Sequence, residues 1–276
     1  MPRKIRVLVI GAHPDDCDIA AGGLAALYVK HGHVVQFVSM TNGDTGHYQM
    51  AGGELARRRY AETQRSAKVL GIKYLVRDQH CGELMPTLEA RKDVIRIIRE
   101  FKPDIVLTHT PDDYHPDHRY TSILVQDSAY SVTVPGQCPL TPHLMRNPVY
   151  AYCCGTVTTS GSFRPDVIVD LDKVIGKKLA MINCHESQWY EWIPYNQGYL
   201  DKVPKGAAAR RRWNEKRFRE RLKGFANQWR DRAIDQYGPE RGKEIQYAEG
   251  VQASPFGAPL DAKTVRRLFP FLAKKC

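Results

Sequence analysis

The sequence predicts an α/β fold, a mostly parallel sheet with helices on both faces. Short β-branched apolar runs alternate with longer segments of helical period as far as Trp189. The joins carry turn and stop residues such as Gly71 and Pro103. Strand–helix–strand spacing repeats along the chain, and such crossovers build parallel sheets where hairpins would build antiparallel ones.

Residues 5–10 hold Ile5, Val7, Leu8, Val9 and Ile10 and form the first strand. The run is too short to span a bilayer and leads straight into Gly11-Ala12-His13, with no small-residue cleavage region, so a strand is expected there and not a signal peptide. A helix over 19–31 follows, with Gly22-Gly23 near its start and Gly32 after its end. Residues 34–39 are strand two. Residues 41–53 are a Gly-rich loop with Asn42-Gly43-Asp44 as turn chemistry. A helix over 55–70 stops at Gly71, and 73–76 is a short strand three. Val94, Ile97, Ile98 and Phe101 share one face of a helix over 88–101. Pro103 breaks it, and 104–108 is strand four. Residues 122–132 read as helix, 149–153 and 167–171 as later strands, and 173–189 as a further helix.

The commonest order for such a Rossmann-like sheet, 3-2-1-4, makes strands one and four neighbours across the switch point where ligands bind. Past Trp189 the pattern weakens, and Pro194 and Pro204 flank an irregular stretch. Phe218, Leu222, Phe225 and Trp229 then repeat at helical spacing with Arg and Lys between them. The expected organisation is an α/β catalytic core over 1–195 and a basic helical extension over 196–276 packed on it within one domain.

A length of 276 residues, 42% hydrophobic and 26% charged, suits a globular protein with a sizeable core and no membrane span. The seven cysteines are odd in number and form no C-x-x-C, which argues against a disulfide framework or a Cys-rich zinc knuckle and for reduced thiols in the cytoplasm. The formal charge of +11 admits an anionic partner, but much of the excess lies between Lys202 and Arg232. No nucleic-acid recognition motif accompanies it, and its aromatics keep core spacing. A solvated face over a packed apolar stripe is the default for that helix, and a subunit contact is the next reading.

Two runs carry chemistry: His13-Pro14-Asp15-Asp16 after strand one, and His115-Pro116-Asp117-His118 after strand four. Neutral imidazole and carboxylate are what a hydrolytic zinc ion needs as ligands and base. Each run also has a plainer reading as a helix cap or polar loop. Their expected meeting at the switch point favours a site. One of Asp15 and Asp16 could face the metal and the other its water. His118 could be a third ligand, and His115 could polarise a carbonyl or protonate a leaving group. Asp117 could orient one of these rings. His109 ends strand four near the expected site, and His185 is equally open to a structural role.

These residues resemble the LmbE-like (PIG-L) zinc-dependent de-N-acetylases. Ala12-His13-Pro14-Asp15-Asp16-Cys17 is similar to that family's A-H-P-D-D-E motif, and His115–His118 matches its H-P-D-H. Gly22-Gly23, Thr41–Asp44, Arg59 with Glu62, Asp78, Lys178 before His185–Gln188, and Tyr247-Ala248-Glu249 recur in order, so the resemblance spans roughly residues 5–250. It implies His13, Asp16 and His118 as Zn2+ ligands, Asp15 as general base, and His115 as oxyanion partner or acid with Asp117 orienting it. It also implies Arg59 and Asp78 as substrate contacts, an N-acetylglucosamine-containing small molecule or glycoconjugate as substrate, and a homo-oligomer. Cys17 stands where the family has Glu, and a buried packing role suits it better than ligation. A zinc amidase for a larger acyl group, and a nucleic-acid or anionic-polymer binder with a structural metal, are the alternatives.

Overall fold

The computed structural model describes residues 3–153 and 163–272, so Cys154 and Cys276 lie outside the described residues. Its strands are β1 (Arg6–Gly11), β2 (Val34–Thr41), β3 (Lys73–Gln79), β4 (Ile105–Thr108), β5 (Val149–Cys153), β6 (Val167–Asp170) and β7 (Ala248–Gly257). The first helices are α1 (Asp16–Lys30), α2 (Gly52–Leu70), α3 (Leu88–Phe101), α4 (Pro116–Ser131) and α5 (Ile175–Ile182). A π-helical turn (Ser187–Trp192) leads into α6 (Ile193–Asn196). The chain ends in α7 (Ala207–Gln228), α8 (Arg230–Tyr237), α9 (Pro239–Glu244) and α10 (Ala262–Leu268).

The sheet runs β3-β2-β1-β4-β5-β7-β6, so the expected 3-2-1-4 order is present. Pairings from β3 to β5 are parallel, and β7 pairs antiparallel with both β5 and β6. Alternation along the strands sorts the core. Val7 and Val9 face the side covered by α1, α2 and α5, and Leu8 and Ile10 face α3 and α4. Val9 lies opposite Leu107, so β1 and β4 release their following loops at the same edge of the sheet.

Five expectations are corrected. Helix α1 begins at Asp16, not 19, and α4 at Pro116, not 122. The first run is therefore the turn leading into α1, with Asp16 as its first helical residue, and the second caps and opens α4. The helix expected over 173–189 is α5 plus the π-turn. Glu62 of α2 accepts the Ser187 amide (2.9 Å) and hydroxyl (2.6 Å) there, which competes with regular helix bonding. Strand three runs to Gln79. Strand β7 was not expected, because Gly250, Pro255 and Gly257 read as loop chemistry. It forms because β5 and β6 leave backbone groups that need partners.

The basic stretch buries Phe218, Leu222, Ala226 and Trp229 and half-buries Phe225. Trp229 joins Tyr152, Phe163 and Ile168 in a third apolar cluster against the strands. Its guanidinium groups cover aromatic faces: Arg217 lies over Trp213 (4.6 Å) and Tyr199 (4.8 Å). Inside, Lys178 of α5 and Glu249 of β7 form a buried ion pair wedged against α1. Glu249 accepts the amides of Gly23 (2.9 Å) and Leu24 (2.7 Å), and Lys178 donates to the carbonyls of Asp18 (3.2 Å) and Ile19 (2.6 Å). Among the described residues, no helix is long and apolar enough to cross a membrane.

Candidate active site

The turn after β1 is tight: the amides of Asp15 (2.9 Å) and Asp16 (3.2 Å) both donate to the His13 carbonyl. Gly11 permits it, since a Cβ there would sit 2.7 Å from Asp16 Cβ. The Asp16 carboxylate folds back to accept the His13 amide (2.7 Å). His13, Asp15, Asp16 and His118 are all buried. The loop after β4 delivers His115 as the N-cap of α4 and His118 in its first turn.

His13 Nδ1 lies 3.1 Å from His118 Nε2 and 3.3 Å from Asp16 Oδ2, and His118 Nε2 lies 3.4 Å from that oxygen. A tetrahedral cation with bonds of about 2.0–2.2 Å spaces its ligands by roughly 3.3–3.6 Å. The triangle fits within a few tenths of an ångström. The far side of each ring agrees. His13 Nε2 is 3.0 Å from Asp117 Oδ2, and His118 Nδ1 is 3.1 Å from Asp113 Oδ1. With a proton on each of those nitrogens, two lone pairs point at one another across the triangle. A shared proton or a cation relieves that repulsion. Asp117 and Asp16 accordingly raise the His13 imidazole well above its usual value, although burial works the other way. Burial pushes the Asp16 carboxyl up, but His118 and His109 beside it hold it well below the carboxylate range.

Other His and Cys groups also crowd the site: His13, His115 and His118; Asp16, His109 and His118; and His13, Cys81 and Asp117 each have ligand atoms within 4.8 Å. Hydrogen bonding separates them. His109 Nε2 accepts the Ala12 amide (3.0 Å), which occupies its lone pair, and the ring stacks on His118 at 4.0 Å. His115 Nδ1 accepts the Asp117 amide (3.2 Å), which puts the neutral ring's proton on Nε2 and makes that atom a donor. Burial, with His13 and His118 nearby, lowers His115 to about 4, so it is neutral at ordinary pH.

Asp117 departs from expectation. Its carboxylate accepts from His13 and from the Gly82 amide (2.6 Å), and only its backbone amide orients His115. Arg59, expected at the substrate, is buried and donates to Asp15 Oδ1 (3.1 Å) and the Pro14 carbonyl (3.2 Å). Gly43 makes room for it: φ is +75° there, and a Cβ would lie 2.8 Å from Arg59 Cδ. Burial lifts the Asp15 carboxyl to about 6 against the pull of Arg59. Asp78 is exposed and accepts from Asn42 Nδ2 (3.0 Å), outside the His/Asp cluster. His185 is fully buried with Nε2 3.1 Å from Asp18 Oδ2. Cys17 Sγ points at the Val38 (3.4 Å) and Val9 (3.6 Å) carbonyls, away from the triangle.

Sequence reasoning gave no role to Asp113, Cys81 or Gly82. Asp113 lies five residues before His118, and the histidine-to-carboxylate pairing of metal sites was its one available signal.

The fold and cluster define a doubly wound α/β protein with a cation-fitting His/Asp site at its switch point. The chain belongs to the PIG-L family, described as GlcNAc-PI de-N-acetylase, whose pattern matches residues 8–129. It is 33% identical to the diacetylchitobiose deacetylase of Thermococcus kodakarensis over 207 residues, 69% of this chain and 74% of that one. It is 27% identical to the 4-oxalmesaconate hydratase of Pseudomonas putida over 213 residues, 73% of this chain and 80% of that one. The solved N,N'-diacetylchitobiose deacetylase of Pyrococcus horikoshii superposes with a TM-score of 0.69 at 27% identity, covering 91% of this chain and 84% of that one.

Proposed function

We propose that this chain is a zinc-dependent N-deacetylase acting on an N-acetylglucosamine-containing small molecule or glycoconjugate. The observation that carries the reading is the buried carboxylate of Asp15, held by Arg59, next to the triangle of His13, Asp16 and His118. The similarity to a diacetylchitobiose deacetylase supports the choice of bond and substrate class.

His13, Asp16 and His118 would hold the ion, with Asp117 and Asp113 fixing the two rings. When bound, zinc lowers the pKa of a water and polarises the amide carbonyl. Asp15 takes a proton from the attacking water. Its pKa of about 6 leaves it ionised at neutral pH yet basic enough for the task. Arg59 aims the carboxylate. The neutral His115 offers its Nε2–H to the developing oxyanion, and the Asp117 amide at Nδ1 keeps the proton on that nitrogen. The C–N bond then breaks, the proton held by Asp15 passes to the amine, and acetate leaves. We read residues 1–195 and 196–276 as one domain, acting in the cytoplasm as a homo-oligomer. The free thiols of Cys17, Cys81, Cys138 and Cys184 support the location.

The hydratase relative favours a second reading, in which the same base and water add across a C=C bond. An acetate-release screen over N-acetylated sugars with zinc-loaded protein and a chelator control decides between them. The proposal expects acetate that the chelator abolishes. No acetate from any sugar, with turnover of 4-oxalmesaconate, would replace it by the hydratase reading. Mass analysis of the released acid tests for a larger acyl group.

A further inference from the structure

The Cys81 thiol stands beside the metal triangle and takes no part in the hydrolytic chemistry. Its sulfur, a ring nitrogen of His13 and a carboxylate oxygen of Asp117 all lie within 4.8 Å of one another. The ring nitrogen that Asp117 reaches is Nε2, at 3.0 Å, the one that the triangle leaves unused.

The turn after β3 fixes the sulfur there. Cys81 donates its amide to Asp44 Oδ1 (3.0 Å), and its carbonyl accepts the Thr45 hydroxyl (2.9 Å). The next amide, of Gly82, donates to Asp117 Oδ2 (2.6 Å). Gly82 takes a φ of +89°, a left-handed conformation that suits glycine. The Cys81 side chain hydrogen-bonds His13 and is half-buried, so an ion can reach it from solvent. A second observation concerns Asp117 Oδ1. It is buried with no hydrogen-bond partner among the described residues, although Oδ2 has two. A buried carboxylate oxygen left alone costs free energy that a bound cation recovers.

The donor set differs from that of the triangle. His13, Asp16 and His118 offer two nitrogens and one oxygen. Cys81, His13 and Asp117 offer sulfur, nitrogen and oxygen, and thiolate with carboxylate neutralises a divalent charge. Thiolate selects soft cations. Bonds of about 2.0–2.3 Å space tetrahedral ligands by roughly 3.3–3.7 Å, and larger ions need somewhat more.

We propose that Cys81, His13 Nε2 and Asp117 form an inhibitory site for a thiophilic cation such as cadmium, whose occupation excludes the catalytic ion. A neutral imidazole has one lone pair, so His13 serves one cation at a time. With Nδ1 on the catalytic ion, Nε2 keeps the proton that Asp117 accepts. With Nε2 on the soft ion, the proton sits on Nδ1, where Asp16 Oδ2 lies at 3.3 Å to accept it. The Cys81 thiol releases its proton to solvent as the bond to the ion forms. The exclusion, though not the soft site itself, rests on the assignment of His13 Nδ1 to the catalytic ion.

The test titrates metal-free wild type, Cys81→Ser and Cys81→Ala with cadmium alone, each protein checked for an unchanged melting temperature. Wild type should develop the ultraviolet thiolate-to-cadmium charge-transfer band, saturating at one cadmium per chain, and both variants should lose it. No band in wild type, or a band that survives in the variants, would overturn the site. Zinc-loaded wild type is then titrated and its zinc and cadmium counted by elemental analysis after desalting. Zinc should leave as the band grows, and a full band with zinc retained would overturn the exclusion. If the protein takes up no zinc at all, the zinc-hydrolase reading fails, and the band in metal-free protein still judges the soft site alone.

Discussion

Nδ1 of His13 and Nε2 of His118 face each other across 3.1 Å, and each ring has its other nitrogen on a carboxylate, Asp117 for one and Asp113 for the other. The two carboxylates set which nitrogen keeps a lone pair. Asp117→Asn and Asp113→Asn should each weaken zinc affinity by about 10–100-fold, the usual cost of losing such a partner. Competition with a chromophoric chelator measures it. Unaltered affinity in both would remove the carboxylates from the site.

The pair Lys178–Glu249 makes a stability prediction. Both groups are buried and bridge α1, α5 and β7. Lys178→Met leaves the Glu249 charge unpaired and should cost about 3–5 kcal/mol in denaturant unfolding. The double variant Lys178→Met/Glu249→Gln should recover part of the loss, because no charge is stranded.

Glu191 makes a pH prediction. Burial pushes its carboxyl up, but Arg58 and His47 outweigh burial and hold it below the usual value. A carboxyl lowered in the fold adds stability that is present above its unfolded pKa and is lost as pH falls through the folded one. Glu191→Gln should therefore lower the melting temperature by a few degrees at pH 7, and by progressively less as the pH drops below about 4.5. A difference that stays constant with pH would contradict the pairing.

Cys17 stands where the family motif has Glu, and its sulfur faces two backbone carbonyls. Burial, with Asp18 and Asp16 nearby, raises its thiol well above the ordinary value, which keeps it a neutral packing group. Cys17→Ala should keep one zinc per chain by elemental analysis and lose about 1 kcal/mol of stability through the vacated volume. Loss of the ion would make the sulfur a ligand.

The parallel sheet was legible because β-branched runs and helical segments alternate from Ile5 onward, while the 3-2-1-4 order of its first four strands was taken as the commonest arrangement and is the one present. The meeting of His13 with His118 follows from that order. What stayed hidden depends on partners far along the chain. Arg59 is expected as a substrate contact, and α2 instead lays it against the Asp15 carboxylate. Asp117 and His115 sit in one motif, yet the Asp117 carboxylate belongs to His13 from another loop. Strand β7 has loop-like composition and exists because two strand edges capture it. The π-turn depends on Glu62 of α2 binding Ser187, a contact that no periodicity records.

The most direct test of the central claim is kcat/KM for acetate release by zinc-loaded Asp15→Asn, measured with its zinc content. The substitution removes the base and spares the triangle of His13, Asp16 and His118. The account predicts one zinc per chain and a rate lower by about 10²–10⁴-fold. Undiminished turnover with the ion in place would contradict it.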